Sequence, residues 1–203
     1  MVAVRCARGA LVDTRSSAQI RWHARGGQGA VTAAKMVAEL ALEQGKHFQA
    51  FPEYGPERSG APIVAFTRVS DQPIQVHCGV EHPQIVVVMD SSLLDVIDVT
   101  KGLADDGILL VNVDASPAAL RAHHGLKGHR LFTVAATHIA TETIGRPIPN
   151  TPVIGALVAI TGLFPLDMVT EFLRYEFGKK FPPKVVDGNI QALTRSYEEV
   201  QAE

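Results

Sequence analysis

Cysteine is nearly missing from this chain: Cys6 and Cys78 are the only two among 203 residues. Two thiols are too few for a disulfide framework, a zinc site or an iron–sulfur cluster held by this chain alone. A reducing, cytoplasmic setting is the simplest reading. An excess of either charge is missing too, with 19 Lys and Arg against 21 Asp and Glu and a net charge of −2. Without a basic block or stripe, nucleic acid is not an expected partner. No apolar run reaches the roughly 18 residues of a membrane span. The longest, Pro152 to Leu166, is broken by Gly155, Thr161, Gly162 and Pro165 and reads as a buried helix. Residues 1–18 lack the apolar stretch of a secretory signal and carry arginines throughout, which suggests a loosely ordered extension.

Catalytic signatures are equally scarce. There is no G-x-S-x-G elbow, no Cys–His pairing suggested by context and no standout pair of carboxylates. His123-His124 has no partner at metal-ligand spacing and reads as a pair of solvated loop histidines. No catalytic residue and no metal ligand is therefore assigned. Internal repeats and low-complexity tracts are absent as well.

What is present is globular. Apolar residues make up 46% and charged ones 20%, and the length suits one domain, residues 19–203. Strands are expected at Ile20–Ala24, His47–Phe51 and Ile63–Val69, with Ile74–Cys78 pairing onto the last as a hairpin. The continuous apolar runs Ile85–Met89 and Ile108–Val111 suit strands buried on both faces, and Phe132–Ala135 the last strand. Helices are expected over about 28–44, 92–103, 137–144, 152–161, 166–177 and 183–201. This alternation predicts an α/β fold: an open, mostly parallel, doubly wound sheet with helices on both faces and a C-terminal helical segment. The helix from Pro152 is apolar nearly all round, so it lies centrally or beneath another subunit.

Two loops stand out. Arg25-Gly26-Gly27-Gln28-Gly29 joins the first strand to the first helix, and three glycines in four residues let backbone N–H groups approach another molecule. A helix N-terminus beside such a turn favours an anion. The spacing matches neither the dinucleotide fingerprint nor a P-loop, so a ligand cradle and a purely structural turn both stand. Gln28, a polar amide at the tip, calls for a partner. The second loop, Pro52 to Pro62, is rigidified by three prolines and two glycines and presents Glu53, Tyr54, Glu57, Arg58 and Ser59. Arg58 offers a fork of donors suited to carboxylate or phosphate, and Ser59 a hydroxyl. Both loops share one rim if the first two strands run parallel. Asp90 and His138, each following a strand, have binding positions but read first as a cap, or in the case of His138 as a cap or a packed side chain.

Ile20-Arg21-Trp22-His23-Ala24-Arg25-Gly26-Gly27-Gln28-Gly29 resembles the opening motif of the gamma subunit of 2-oxoacid:ferredoxin oxidoreductases, pyruvate synthase in particular. Phe51 to Pro62 is similar to that family's second signature, and Asn150-Thr151-Pro152 with Gly155-Ala156-Leu157 to its third. The likeness runs from about residue 19 to the C-terminus. One departure is Ala24, where the family usually has glycine; a methyl suits a strand end but narrows a ligand's approach. The resemblance implies a complex that oxidatively decarboxylates a 2-oxoacid, joins the acyl group to coenzyme A and reduces ferredoxin. It implies thiamine diphosphate and magnesium on alpha and beta chains, and [4Fe-4S] clusters on a delta chain. This chain would bind none of them wholly. Its implied share is architectural, with Arg25, Gly26, Gly27, Gln28, Gly29, Glu53, Tyr54, Arg58 and Ser59 on the coenzyme A side of the active site. Two other readings stand beside it. One is a free-standing nucleotide-binding enzyme, although the acidic residue that should follow about twenty positions on has no clear match. The other is a scaffold whose loops touch only sister subunits.

Overall fold

The chain folds around one seven-stranded sheet of strand order β2-β3-β1-β4-β5-β6-β7. The computed structural model describes residues 17–53 and 60–203. In chain order these comprise β1 (Ser17–Arg25), α1 (Ala30–Glu43), β2 (His47–Glu53), β3 (Pro62–Ser70) and β4 (Ile85–Val88). Next come β5 (Ile108–Asn112), α2 (Pro117–His124), β6 (Arg130–Val134), α3 (Ala136–Ile144) and α4 (Asn150–Thr161). The chain ends with α5 (Leu166–Gly178), α6 (Pro183–Glu199) and the short β7 (Gln201–Ala202). β1, β4, β5 and β6 are parallel, while β3 runs antiparallel to both β1 and β2, so β2 points the same way as β1. β7 closes the far edge antiparallel to β6.

Alternation along the strands divides the interior in two. Ile20, Trp22 and Ala24 of β1 face a core shared with α1, α3, α4 and α6, whereas Val86 and Val88 of β4 face a smaller cluster with Leu93, Val99 and Leu120. Trp22 is fully buried, and its Nε1 donates to Thr67 Oγ1 (3.0 Å), which donates to the Ala34 carbonyl (3.1 Å). That chain ties β1, β3 and α1 without leaving an indole N–H unpaired. Residues Thr151 to Val158 of α4 are all buried, which places this largely apolar helix in the middle of the core. α4 presses against α6 at Gly155, where an added Cβ would collide with the Leu193 carbonyl oxygen and Ser196 Oγ.

Several expectations are corrected. β1 starts at Ser17, so the strand takes in the end of the stretch read as an extension. Ile74–Cys78 forms no strand, because both edges of β3 are already occupied, by β1 and by β2. In place of a helix over 92–103 there is a 3-10 turn, Ser91–Asp95, capped by Asp90. Beyond it the β-branched Val96, Ile97, Val99 and Thr100 disfavour a helix, and the Asp98 carboxylate accepts from the Thr100 N–H (3.0 Å), which supports a turn. His123 and His124 close α2 rather than lying in a loop; Ser116 caps that helix, Pro117 opens it and Gly125 ends it. His124 Nδ1 lies 3.2 Å from Asp95 Oδ1. Pro52 and Glu53 extend β2 into the span read as a loop. Phe132–Ala135 is not the last strand, since β7 follows. Among the described residues no helix is long and apolar enough to cross a membrane.

Candidate functional site

The first signature and the start of the second lie on a common rim. Arg25 at the end of β1 pairs in register with Pro62, and Glu53 at the end of β2 with Val64, so the parallel strands β1 and β2 finish together. Gly26 N–H donates to the Ala61 carbonyl (3.3 Å), and Arg25 Nη1 donates to the Gly60 carbonyl (3.1 Å). The first loop is thereby bonded to the return of the second. Tyr54, Glu57, Arg58 and Ser59 fall outside the described residues.

Within the glycine turn, the Gln28 N–H donates to the Arg25 carbonyl (3.2 Å), closing a tight bend. Gly27 (φ 98°) and Gly29 (φ 84°) adopt the left-handed conformation that L side chains rarely take. Neither has a partner for its N–H among the described residues. A Cβ on Gly27 would meet nothing within 4 Å among the described residues. A Cβ on Gly29 would lie 3.1 Å from the Asn150 side chain, so the third signature packs directly against the first. The methyl of Ala24, the position that departs from the family pattern, is fully buried in the core and does not face the rim.

Gln28 does find a partner, inside the protein. Its Oε1 accepts from the Arg25 N–H (2.8 Å) and its Nε2 donates to Asp90 Oδ2 (2.8 Å). Asp90 Oδ1 accepts from both the N–H (3.1 Å) and the hydroxyl (2.5 Å) of Ser92, and Arg25 Nη2 donates to Ser92 Oγ (2.9 Å). The two residues therefore brace the turn against the loop after β4, while Asp90 also caps the 3-10 turn as its sequence position suggests. Partial burial alone would raise the Asp90 pKa, but the hydrogen bonds from Ser92 and Gln28, with Arg25 nearby, hold it below the ordinary carboxylate value.

A crevice of about 580 Å³ opens beyond the carboxyl ends of β4, β5 and β6, lined by Gln28, Asp90, Asn112, Asp114, Thr137 and His138 among others. His138 neither caps nor packs: its side chain is 62% exposed and lies 3.3 Å from Glu142. α3 has no side-chain cap at Ala135; Asn112 Oδ1 instead accepts from the Thr137 N–H (3.1 Å), while its Nδ2 donates to Met89 O (2.9 Å) and Thr137 Oγ1 (2.7 Å). Asn112 was missed in the sequence, though a lone amide ending an apolar strand run is a usable sign.

Behind the rim, β1 turns a polar face toward the smaller core. Arg21 is 8% exposed and donates from Nη2 to the carbonyls of Val99 (3.0 Å) and Lys101 (2.5 Å), and from Nε to His23 Nε2 (3.1 Å). That bond makes Nε2 the acceptor and leaves the proton on Nδ1, which is buried without a partner among the described residues. Burial first, and the Arg21 cation second, push the His23 imidazole down to about 4. His23 is therefore neutral at physiological pH and serves as an acceptor that orients Arg21. Among the described residues no three His, Cys, Asp or Glu side chains gather as metal ligands.

Against known proteins, residues 19–199 match the model of the pyruvate ferredoxin/flavodoxin oxidoreductase family. Pyruvate synthase subunit PorC of Thermotoga maritima is 51% identical over 183 residues, covering 90% of this chain and 94% of that protein. The pyruvate/ketoisovalerate oxidoreductases common subunit gamma of Thermococcus kodakarensis is 48% identical over 178 residues, covering 88% and 96% of the two chains. The crystal structure of the Thermotoga maritima pyruvate oxidoreductase subunit PORC superposes with a TM-score of 0.80 at 46% identity, covering 93% of this chain and 99% of that one. With the sequence motifs and the sheet topology in agreement, the chain belongs to the pyruvate ferredoxin/flavodoxin oxidoreductase family, as a gamma-type subunit.

Proposed function

We propose that this chain forms the coenzyme A side of the active site in a cytoplasmic complex that oxidatively decarboxylates a 2-oxoacid, pyruvate foremost, to an acyl-CoA and reduces ferredoxin. Alpha and beta chains would carry thiamine diphosphate and magnesium, and a delta chain the [4Fe-4S] clusters. The observation that carries this reading is the rim itself: two backbone N–H groups without a partner among the described residues, Gly27 and Gly29, beside the Arg25 guanidinium and at the start of α1. Such a set of donors and positive dipole fits a phosphate or an amide carbonyl. Coenzyme A, when bound, supplies the thiol that accepts the acyl group. Gly26 ties the turn to the return of the second loop through its N–H, and Gln28 holds the bend in shape through its two intramolecular bonds. Glu53 stands at the same rim, and Tyr54, Arg58 and Ser59 belong to the loop that leaves it. The low cysteine content and the exposed, free Cys78 suit a reducing compartment.

Steady-state kinetics of the assembled complex test this. Arg58→Ala should raise KM for coenzyme A about tenfold, the equivalent of about 1.4 kcal/mol, with KM for the 2-oxoacid unchanged. An unaltered KM for coenzyme A would remove Arg58 from the site.

A further inference from the structure

A second hollow, of about 900 Å³, lies on the helical side of the sheet, between α1, the α3–α4 connection, α5 and the turn into α6. One wall is a single stripe of α1 (Thr32, Lys35, Met36 and Glu39), spaced so that it spans two helical turns, about 10 Å. The opposite wall is aromatic: Phe172 and Phe177 of α5, and Phe181 beyond it. The Phe177 and Phe181 rings meet edge-on at 5.6 Å, and Phe181 is 45% exposed. Left to water, this volume would hold on the order of 30 molecules, many of them against the apolar side chains of Met36, Ile144, Phe172, Phe177 and Phe181. Around the opening stand Lys35, Arg146 and Lys180. None of the three side chains has an ion pair or hydrogen bond among the described residues. Glu176, which also lines the hollow, is neutralised by Lys179 at 2.6 Å, leaving Glu39 as the one lining carboxylate without a partner among the described residues.

We infer that this groove receives an acidic, amphipathic segment of a sister subunit, whose apolar side chains seat on the phenylalanines while its carboxylates meet Lys35, Arg146 and Lys180. An apolar floor rimmed by three cations that outnumber the single carboxylate left beside them, Glu39, fits a chain of that chemistry. The inference rests on the reading that this polypeptide works within a complex, but not on the coenzyme A role of the rim.

Zero-length carbodiimide coupling on the assembled complex tests it. Lys35 and Lys180 should be joined to Asp or Glu side chains of one sister chain and become at least tenfold less reactive toward an amine-modifying reagent than in the free chain. The double variant Lys35→Glu with Lys180→Glu should dissociate from the complex at least tenfold more readily while melting alone within a few degrees of the parent. Equal reactivity in both states, coupling to a second copy of this chain, or parental affinity of the double variant would each overturn it. A chain that joins no sister subunit would overturn both the inference and the reading beneath it. A complex that assembles without the predicted couplings would overturn the inference alone, leaving the Arg58 test untouched.

Discussion

His23 shows how one buried side chain couples stability to pH. Its imidazole titrates near 6.5 when unfolded but near 4 in the fold. The unfolded chain therefore binds more protons between those values, and stability is complete above about pH 6.5 and falls as the pH drops toward 4, by about 1.4 kcal/mol per unit at most. Denaturant melts of the parent should weaken across that window, and His23→Gln, which keeps an acceptor for Arg21, should flatten the dependence. A parent as stable at pH 4.5 as at pH 7 would show that the imidazole is not buried neutral. Asp90 acts in a lower range: held below its ordinary value, its contribution is present above about 3.8 and is lost only as the pH falls further. Gly29 is constrained twice, by φ and by Asn150, so Gly29→Ala should cost about 2 kcal/mol in an equilibrium unfolding experiment. A neutral result would mean that α1 and α4 can move apart at the turn.

Helices meet closely where side chains are missing. Gly155 lets α4 touch α6, and Gly188 lets α6 approach the Thr143 carbonyl at the end of α3. Gly155→Ala should destabilise by about 3 kcal/mol, because the Leu193 backbone carbonyl, and not only the Ser196 hydroxyl, stands in the way. Unchanged thermal unfolding would contradict that packing. These contacts link elements far apart in sequence, and no local pattern announces them. Local chemistry did announce much else: the apolar runs of β4 and β5, the helical stripe of α1 stopped by Gly45, and the glycine turn between β1 and α1. The errors fell where tertiary context decides. Ile74–Cys78 has strand composition but no free edge to pair with, and the span after Asp90 has helical apolar spacing but turn-forming β-branched residues and Asp98. The markers of α2, namely Ser116, Pro117 and Gly125, are local and stand in the sequence itself. At the site, residue types placed the turn correctly, whereas the engagement of Gln28 with Asp90 depends on a loop 62 positions away.

At the scale of the molecule, the sheet brings the end of β1, the end of β2 and the start of α4 to one rim, while the apolar α4 stays inside. The outward features are the crevice beyond β4 to β6 and the aromatic groove along α1. Such a layout suits a part that shapes a reaction site shared with other chains rather than one that completes it alone. Hydrogen–deuterium exchange of the assembled complex, with and without coenzyme A, probes the rim most directly. Exchange at the amides of Gly27 and Gly29 should slow on adding coenzyme A, while the buried strand β5 stays as it was. Unchanged exchange across residues 25–29 in a complex saturated with coenzyme A would contradict the role given to this turn.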